Sequence, residues 1–344
     1  MPVSDTAPVR PGEELDLRRL SAYLRGKIQG ADNGIAIEQF PSGHSNLTYL
    51  IRANGVEYVL RRPPFGPIPP KAHDMAREYN VLRAIHPAFP QAPRVFHLCE
   101  DATVIGAIFF IMERRHGIIL RDAVPPEATP SYARRVSEGF IDCLIRLHNV
   151  NLADYGLTAL GKPDGFLERQ VRGWADRWSH AKTEEIPAME FIIEWLGKEF
   201  PIQQRPAFVH NDYKLDNLML DPRDPGRVEA VLDWEMATTG DPLVDLGLAL
   251  CYWSPPTSLG AINAVTTGDG WFTRDQLVNR YAKGTGLDVS NLRYYEVFGA
   301  FKLAVILQQI YYRFHAGHTR DERFRHFNER VRDLANAGAV LAAR

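Results

Sequence analysis

The segment 208–240 constrains the fold and chemistry of this chain more than any other part of the sequence does. It reads FVHNDYKLDNLMLDPRDPGRVEAVLDWEMATTG and sets His210, Asp212 and Asn217 in the pattern H-x-D-x-x-x-x-N. Asp233 follows sixteen residues after Asn217. An apolar pair leads into the polar loop and a short apolar run leaves it; a turn rich in Pro, Asp and Gly then leads to a second strand, 228–232, that delivers Asp233, so that the two strands form a hairpin-like pair. The segment therefore predicts acidic and amide side chains presented together where short strands end.

These residue types suit phosphoryl transfer from ATP. The transition state of that reaction is loose and highly anionic, so catalysis is mostly positioning and charge neutralisation. Asp212 supplies a carboxylate for the acceptor hydroxyl, while Asn217 and Asp233 supply the hard oxygen ligands that Mg²⁺ prefers. His210 is better explained as a residue that hydrogen-bonds the backbone and holds the loop. We therefore predict ATP and Mg²⁺ as cofactors, Asp212 as the catalytic residue, and Asn217 and Asp233 as metal ligands.

The pattern resembles the catalytic loop of protein-kinase-like phosphotransferases, in which H-R-D-x-x-x-x-N precedes D-F-G. Here it is followed by L-D-W-E and then G-D-P-L-V-D-L-G, a form that looks like the aminoglycoside phosphotransferase family of small-molecule kinases. The resemblance implies an α+β, protein-kinase-like bilobal fold with a five-stranded antiparallel N-lobe sheet and a mainly helical C-lobe. It places the N-lobe at 1–112, the hinge at 113–117, and the C-lobe with the acceptor site at 118–344.

The N-terminal third predicts the strands of the small lobe. Apolar alternation predicts strands at 35–40, 47–53 and 57–62, with a hairpin turn at Asn54-Gly55. In a kinase-like lobe, the loop between the first two strands covers the nucleotide phosphates. It holds only one glycine, unlike the glycine-rich loop of protein kinases. We expect nucleotide contacts from Ser42, Gly43, His44, Ser45 and Asn46.

Further nucleotide contacts follow from position in the resembled fold. Arg61 stands where protein kinases have the lysine that contacts the α- and β-phosphates, and Arg62 is the alternative. Glu78 lies within a helix predicted at 73–85 and is the candidate partner of that cation. Glu113 and Arg115 fall in the expected hinge, where backbone groups recognise adenine.

Outside the segments already discussed, the apolar periodicity predicts mostly helices. Helices are expected at 16–28, 131–148, 246–252, 273–284 and 292–314, with two in the aromatic-rich stretch 165–200 and an amphipathic one at 320–332. Strands at 95–100 and 107–112 complete the sheet, and 254–270 is expected to be an exposed loop. Asp241 and Asp245 are predicted to be structural, and His148 to be a satisfied core histidine.

Composition and cysteine spacing argue against several other classes of protein. The net charge of −2 gives no electrostatic footprint for nucleic acid. Three well-separated cysteines form no zinc or C-x-x-C pattern and read as reduced thiols. No apolar run suits a signal peptide or a membrane span. We expect a cytoplasmic protein whose partner is a small-molecule hydroxyl acceptor, with neither nucleic acid nor membrane bound, and of undetermined oligomeric state.

The acceptor itself is left open by the motifs. Residues Y-V-L-R-R-P-P, G-F-L-E-R-Q at 165–170 and L-D-W-E at 232–235 look like the branch of the family found alone in bacteria or fused to acyl-CoA dehydrogenases. That resemblance implies a hydroxy acid or its CoA thioester. Nine Lys or Arg against five Asp or Glu in 291–344 favour such an acceptor over a polycationic antibiotic. The alternatives are an aminoglycoside or a choline- or sugar-type kinase, and a non-catalytic nucleotide-binding scaffold, which the arginine at 61 favours.

Overall fold

The computed structural model describes residues 5–41, 46–66, 73–121, 123–253, 265–319 and 321–344. The chain divides into two compact units, each described here by itself. The first unit comprises Met1–Gly117 and Glu229–Glu235, and the second comprises Ile118–Val228 and Met236–Arg344.

The first unit is built on a five-stranded antiparallel sheet in the order β1-β2-β3-β5-β4, as the sequence predicts. Helix α2 follows the third strand, and α1 precedes the first. Their bounds are α1 (Leu17–Leu24), β1 (Ala36–Gln39), β2 (Leu47–Ala53), β3 (Val56–Arg62), α2 (Met75–Ile85), β4 (Val95–Cys99) and β5 (Phe109–Glu113).

The register between β2 and β3 separates two adjacent arginines. Leu47 is opposite Arg62, and Thr48 is opposite Arg61. Because side chains alternate along a strand, the two arginines lie on opposite faces of the sheet. Arg62 shares its face with Leu60, which belongs to the apolar cluster packed with α1. Arg61 shares the face on which α2 packs.

Helix α1 ends earlier than the periodicity predicts. Asp16 caps its first turn by accepting a hydrogen bond from the Arg19 N–H, 3.0 Å away. Arg25 then leaves the helical conformation, and Gly26 adopts a φ of +66°, which glycine tolerates at no steric cost. The predicted helix at 16–28 is therefore too long by its last turn, although Ile28 is still buried.

The second unit is mainly helical. Its helices are α3 (Pro130–His148), α4 (Phe166–Ala181), α5 (Pro187–Lys198), α6 (Leu243–Tyr252), α7 (Arg274–Thr285), α8 (Leu292–His315) and α9 (Phe327–Ala343). Helix α8 runs through the middle and packs against α4, α5, α6 and α9. Trp174 and Trp178 of α4 are buried and belong to the core.

Short strands frame the polar loop of the H-x-D-x-x-x-x-N pattern. Strand β6 (Ala207–Val209) enters it, a single 3-10 turn (Leu215–Asn217) closes it, and β7 (Leu218–Leu220) leaves it. Two more follow, β8 (Val228–Val231) and β9 (Thr238–Gly240). Strand β9 pairs antiparallel with β6, which anchors the start of the loop in a small sheet.

Two predictions about the C-terminal part are wrong. The last helix is α9, which starts seven residues after the predicted 320–332 helix and continues to Ala343, because Asp321 caps a separate 3-10 turn first. Val265 and Thr266 are buried, although 254–270 was expected to be exposed; the prediction holds at 267–270, which are exposed, and 254–264 lie outside the described residues. Within the described ranges, no helix combines the length and apolar character needed to cross a membrane.

Candidate functional site

Arg61 is the centre of a charged cluster in the first unit. Its Nε donates to Glu78 Oε2 at 2.9 Å, and its Nη2 donates to Asp233 Oδ1 at 2.5 Å. Glu235 Oε2 lies 4.0 Å from the same Nη2. The structure thus confirms the predicted pairing of Glu78 with Arg61 and adds Asp233, which the sequence analysis had assigned separately.

The pKa values in this cluster reflect burial and mutual charge. Burial opposes the charge of Arg61, but the carboxylates of Glu78, Asp233 and Glu235 outweigh it and raise the pKa of Arg61 above its ordinary value. Burial also raises the pKa of Glu78 to about 7, and the neighbouring carboxylates add to this while Arg61 opposes it. Glu78, only 2% exposed, therefore depends on Arg61 to remain ionised.

Arg62 has a different environment. It is 2% exposed, and it donates to the carbonyl oxygens of Pro63 at 3.0 Å and Ile105 at 3.2 Å. Its guanidinium also stacks 3.7 Å from the ring centre of Phe65. These contacts make Arg62 part of the packing on the far face of the sheet, so Arg61 is the better candidate for a phosphate contact.

The predicted phosphate loop is described only at its last residue. Asn46 is buried; its Nδ2 donates to Glu235 Oε2 at 2.8 Å, and its Oδ1 accepts from His73 Nδ1 at 2.8 Å. Asn46 thereby ties the start of β2 to Glu235. The other four predicted contacts of this loop lie outside the described residues: Ser42, Gly43, His44 and Ser45.

The two hinge candidates contact one another. Arg115 Nη2 lies 2.9 Å from Glu113 Oε2 and also donates to the Pro90 carbonyl at 2.7 Å. Glu113 Oε2 accepts from the Arg94 N–H at 3.1 Å. Their side chains hold the end of β5 against the segment before β4.

In the second unit, Asp212 is held by residues of its own loop. Asn217 Nδ2 donates to Asp212 Oδ2 at 2.9 Å and to its carbonyl at 2.8 Å. Lys214 Nζ lies 3.1 Å from the same Oδ2. His210 Nδ1 accepts from the Asp212 N–H at 3.2 Å, in line with its predicted role in holding the loop. Both of these side-chain contacts to the carboxylate use Oδ2.

Asp245 fixes the residues that lead into Asp212. Its two oxygens accept from the N–H groups of His210 and Asn211, each at 2.6 Å. His148 Nε2 donates to Asp245 Oδ2 at 3.1 Å, and the Tyr281 hydroxyl donates to His148 Nδ1 at 2.6 Å. Burial acts to raise the pKa of Asp245, but these hydrogen bonds and charges lower it overall, so the carboxylate stays ionised. Both the structural role of Asp245 and the satisfied core position of His148 are as predicted.

Sequence reasoning missed two lysines beside the catalytic loop. Lys214 follows Asp212 by two residues, and Lys302 lies on α8, 1% exposed, with its Nζ donating to the Asn211 carbonyl at 2.6 Å. Burial lowers the pKa of Lys302 to about 8. A single charged residue in the mostly apolar stretch 297–310 of this helix was the available signal, because lysine is almost never fully buried without a partner.

The predicted metal ligands have the chemistry that Mg²⁺ needs. Asn217 directs its amide N–H groups at Asp212, so its amide oxygen is the atom left for a cation. Asp233 offers a partly exposed carboxylate. Among the described residues, no three or more His, Cys, Asp or Glu side chains are grouped to hold a metal. Each of these oxygens is of the kind that suits Mg²⁺, which commonly binds one or two protein oxygens and completes its octahedron with water and phosphate.

Comparison with known protein families identifies one family to which the chain is similar. The sequence model of the phosphotransferase enzyme family matches residues 36–278. Acyl-CoA dehydrogenase family member 10 of Mus musculus is 36% identical over 317 residues, which cover 90% of this chain but 30% of the mouse protein. The chain thus spans less than a third of that relative.

Solved structures resemble the chain over nearly all of its length. A putative aminoglycoside phosphotransferase from Ralstonia eutropha is 31% identical, with a TM-score of 0.83 and coverage of 96% of this chain and 99% of that one. A thermostable mutant of another aminoglycoside phosphotransferase, solved with AMP-PNP and hygromycin B, has a TM-score of 0.60 at 16% identity, covering 93% and 98% of the two chains. The latter likeness is one of fold alone. Together they confirm the predicted protein-kinase-like fold.

Proposed function

We propose that this chain, which belongs to the phosphotransferase enzyme family, transfers the γ-phosphate of ATP to a hydroxyl group of a small molecule. The observation that carries the proposal is the loop in which Asn217 and Lys214 hold one oxygen of Asp212. A carboxylate fixed in this way is already oriented before the acceptor binds, so no further rotational entropy is lost when it orients and deprotonates the acceptor hydroxyl.

Asp212 has the central role in the proposed reaction. The acceptor hydroxyl donates its hydrogen to Asp212 Oδ1, and its oxygen forms the new bond to the γ-phosphorus. The bond from that phosphorus to the bridging oxygen of ADP breaks, and the proton remains on Asp212 until it is lost to water. Lys214, whose pKa is raised overall because Tyr252, Asp212 and Asp216 outweigh the effect of burial, keeps a positive charge beside the carboxylate.

The nucleotide is proposed to be bound by the residues predicted from the sequence. Arg61, oriented by Glu78, grips phosphate oxygens with its planar fork of donors. Asn217 and Asp233 hold Mg²⁺, which when bound neutralises charge on the phosphates. Further candidate contacts are Ser42, Gly43, His44, Ser45, Asn46, Glu113 and Arg115.

For the acceptor, we propose a hydroxy acid or its CoA thioester. The likeness to an acyl-CoA dehydrogenase family member supports this class. So does the charge near Asp212 within the second unit, where Lys214 lies 3.1 Å from the carboxylate and Lys302 is buried behind the loop. Of the two, Lys214 is the more exposed, and its charge disfavours a polycationic acceptor and favours an anionic or neutral one.

An aminoglycoside is the second candidate acceptor. It is favoured by the likeness to the Ralstonia eutropha protein, whose description is that of a putative aminoglycoside phosphotransferase. A panel of acceptors separates the two candidates.

The test is ADP production by the purified protein with Mg·ATP and a panel of hydroxy acids, hydroxyacyl-CoAs, aminoglycosides, amino alcohols and sugars. We expect turnover with the hydroxy-acid class. Asp212→Asn should lower kcat by about 10²- to 10⁴-fold, the usual contribution of a general base, with an unchanged Kd for Mg·ATP. Asp221→Asn is the matched control, because it is the same substitution at a nearby turn. There Asp221 accepts a hydrogen bond from the Arg223 N–H.

Each other outcome changes the conclusion in a definite way. Full activity of Asp212→Asn would overturn the role of this carboxylate. Turnover of aminoglycosides alone would select the second candidate. Binding of Mg·ATP without turnover of any acceptor class would favour a nucleotide-binding scaffold.

A further inference from the structure

Lys302 carries an ammonium group in the interior of the 24-residue helix α8. The side chain is 1% exposed, and its neighbours along the helix, Phe301 and Leu303, are buried apolar residues. Removing a charge from water is costly unless partners replace the lost hydration. A lysine at this position therefore calls for a specific partner.

That partner belongs to the catalytic loop. Lys302 Nζ donates to the carbonyl oxygen of Asn211 at 2.6 Å. Asn211 immediately precedes Asp212 and has a φ of +65°, a left-handed conformation that non-glycine residues adopt only when their surroundings hold it. Asp245 holds the N–H of the same residue. Lys302 and Asp245 thus fix Asn211 through its two backbone polar groups.

The peptide unit between Asn211 and Asp212 is held at both ends. Its carbonyl oxygen accepts from Lys302, and its N–H donates to His210 Nδ1 at 3.2 Å. The orientation of this peptide plane sets the direction in which the Asp212 side chain leaves the backbone. Rotation of the plane would move the carboxylate away from Asn217, which also holds it.

We propose that Lys302 is a positioning residue for Asp212, acting through the carbonyl of Asn211. The proposal rests on the proposed function, because it assumes that Asp212 is the residue that meets the acceptor. Lys302 itself touches neither of the reacting groups. Its effect is expected in kcat, since a carboxylate displaced by about 1 Å can slow a reaction by roughly 10²-fold.

The charge of Lys302 changes within an accessible pH range. Burial lowers the pKa to about 8; Asp212 and Asp245 oppose this, while Arg177 of α4 and Lys214 of the loop add to it. The ring of Trp174, also on α4, lies 5.5 Å from Nζ. Charge-assisted hydrogen bonds are about twice as strong as neutral ones. The hold on Asn211 should therefore weaken as pH rises through about 8.

The same helix offers a matched control. Gln308 is also 1% exposed, and its Nε2 donates to the Ala181 carbonyl at 2.8 Å and to Thr183 Oγ1 at 3.1 Å. It has the burial of Lys302 and a similar backbone acceptor, but its partners lie at the end of α4 and just after it, outside the catalytic loop. Loss of Gln308 should cost stability without affecting Asp212.

The experiment compares Lys302→Met with Gln308→Met in the full chain. We expect Lys302→Met to lower kcat by at least about 10-fold with the Kd for Mg·ATP within about 2-fold of the wild type. Gln308→Met should keep kcat. The wild-type kcat should fall above about pH 8, and this fall should be absent in Lys302→Met. A wild-type kcat and an unchanged pH profile in Lys302→Met would overturn the proposal.

Hydrogen exchange of the peptide 207–217 gives a readout that needs no acceptor. It should be faster in Lys302→Met than in Gln308→Met or the wild type, because the loop loses one of its anchors. Equal exchange in all three proteins would overturn the proposal, whether or not any acceptor is turned over. Absence of turnover by itself would speak only against the proposed function. If Lys302→Met does not fold, the wild-type protein provides the test. The hydrogen-exchange protection of its residues 207–217, corrected for intrinsic exchange rates, should fall between about pH 7 and 9.5. Constant protection over this range would overturn the proposal.

Discussion

Arg61 Nη2 and Asp233 Oδ1 lie 2.5 Å apart, although 172 residues separate the two in the chain. The same guanidinium holds Glu78 through Nε. One cation therefore organises a buried glutamate and a candidate Mg²⁺ ligand at once. Asp233 has a φ of +66°, an uncommon backbone conformation for a non-glycine residue, which the surrounding contacts must sustain.

Replacement of Arg61 should affect both nucleotide binding and stability. Arg61→Met removes the proposed phosphate contact and leaves Glu78 buried without its cation. We expect the Kd for Mg·ATP to rise at least about 10-fold, or ~1.4 kcal/mol. The free energy of unfolding should fall by about 3 kcal/mol, as when one partner of a buried ion pair is removed. Titration calorimetry and urea unfolding measure the two effects.

Arg62→Met is the matched control for that experiment. Arg62 is buried on the other face of the sheet and donates to the carbonyls of Pro63 and Ile105. Its loss should cost about 1–3 kcal/mol of stability, because two buried carbonyls lose a donor. The Kd for Mg·ATP should stay the same. A larger change in Kd for Arg62→Met than for Arg61→Met would reverse the assignment.

Asp233→Ala should weaken nucleotide binding in a way that depends on the metal. With Mg²⁺ present, we expect the Kd for ATP to rise at least about 10-fold because a hard oxygen ligand is lost. With EDTA in place of Mg²⁺, the wild type and the variant should differ much less. Calorimetric titration in the two buffers makes the comparison, and an equal loss in both would speak against metal binding by Asp233.

Asp245→Asn should destabilise the second unit. The carboxylate accepts from two backbone N–H groups and from His148, and an amide at the same place presents a donor to them. We expect the free energy of unfolding to fall by about 3 kcal/mol. Asp142→Asn is the control: its pair with Arg280 is exposed and should contribute less than about 1 kcal/mol. Equal urea midpoints for the two variants would contradict this.

Lys302 should give stability a measurable pH dependence. Its pKa falls from the model-compound value of 10.5 to about 8 on folding, so between these pH values the folded chain binds fewer protons than the unfolded chain. Stability from this group therefore rises with pH across the interval, by up to about 1.4 kcal/mol per pH unit. The free energy of unfolding of the wild type, minus that of Lys302→Met, should show this slope. A flat difference between pH 8 and 10 would show that burial does not perturb Lys302.

Much of the secondary structure could be predicted from the sequence. Strand β2 has the predicted bounds, and α3 and α8 differ from prediction by a residue at an end. In each case a long apolar periodicity fixes which residues are buried. The failures lie where a local signal competes with periodicity. Gly26 lies just beyond the early end of α1, and Asp321 starts a short turn before α9.

The sequence by itself determined the chemistry: the spacing of His210, Asp212 and Asn217 within one loop needs only local backbone geometry, and it indicated a small-molecule kinase. Tertiary structure alone gave Arg61 and Arg62 different surroundings, because their faces depend on how β3 is paired and covered. It alone brought Lys302 to the carbonyl of Asn211, 91 residues away. Contacts of this kind depend on how helices pack around a loop, and a linear pattern does not record which buried side chains meet.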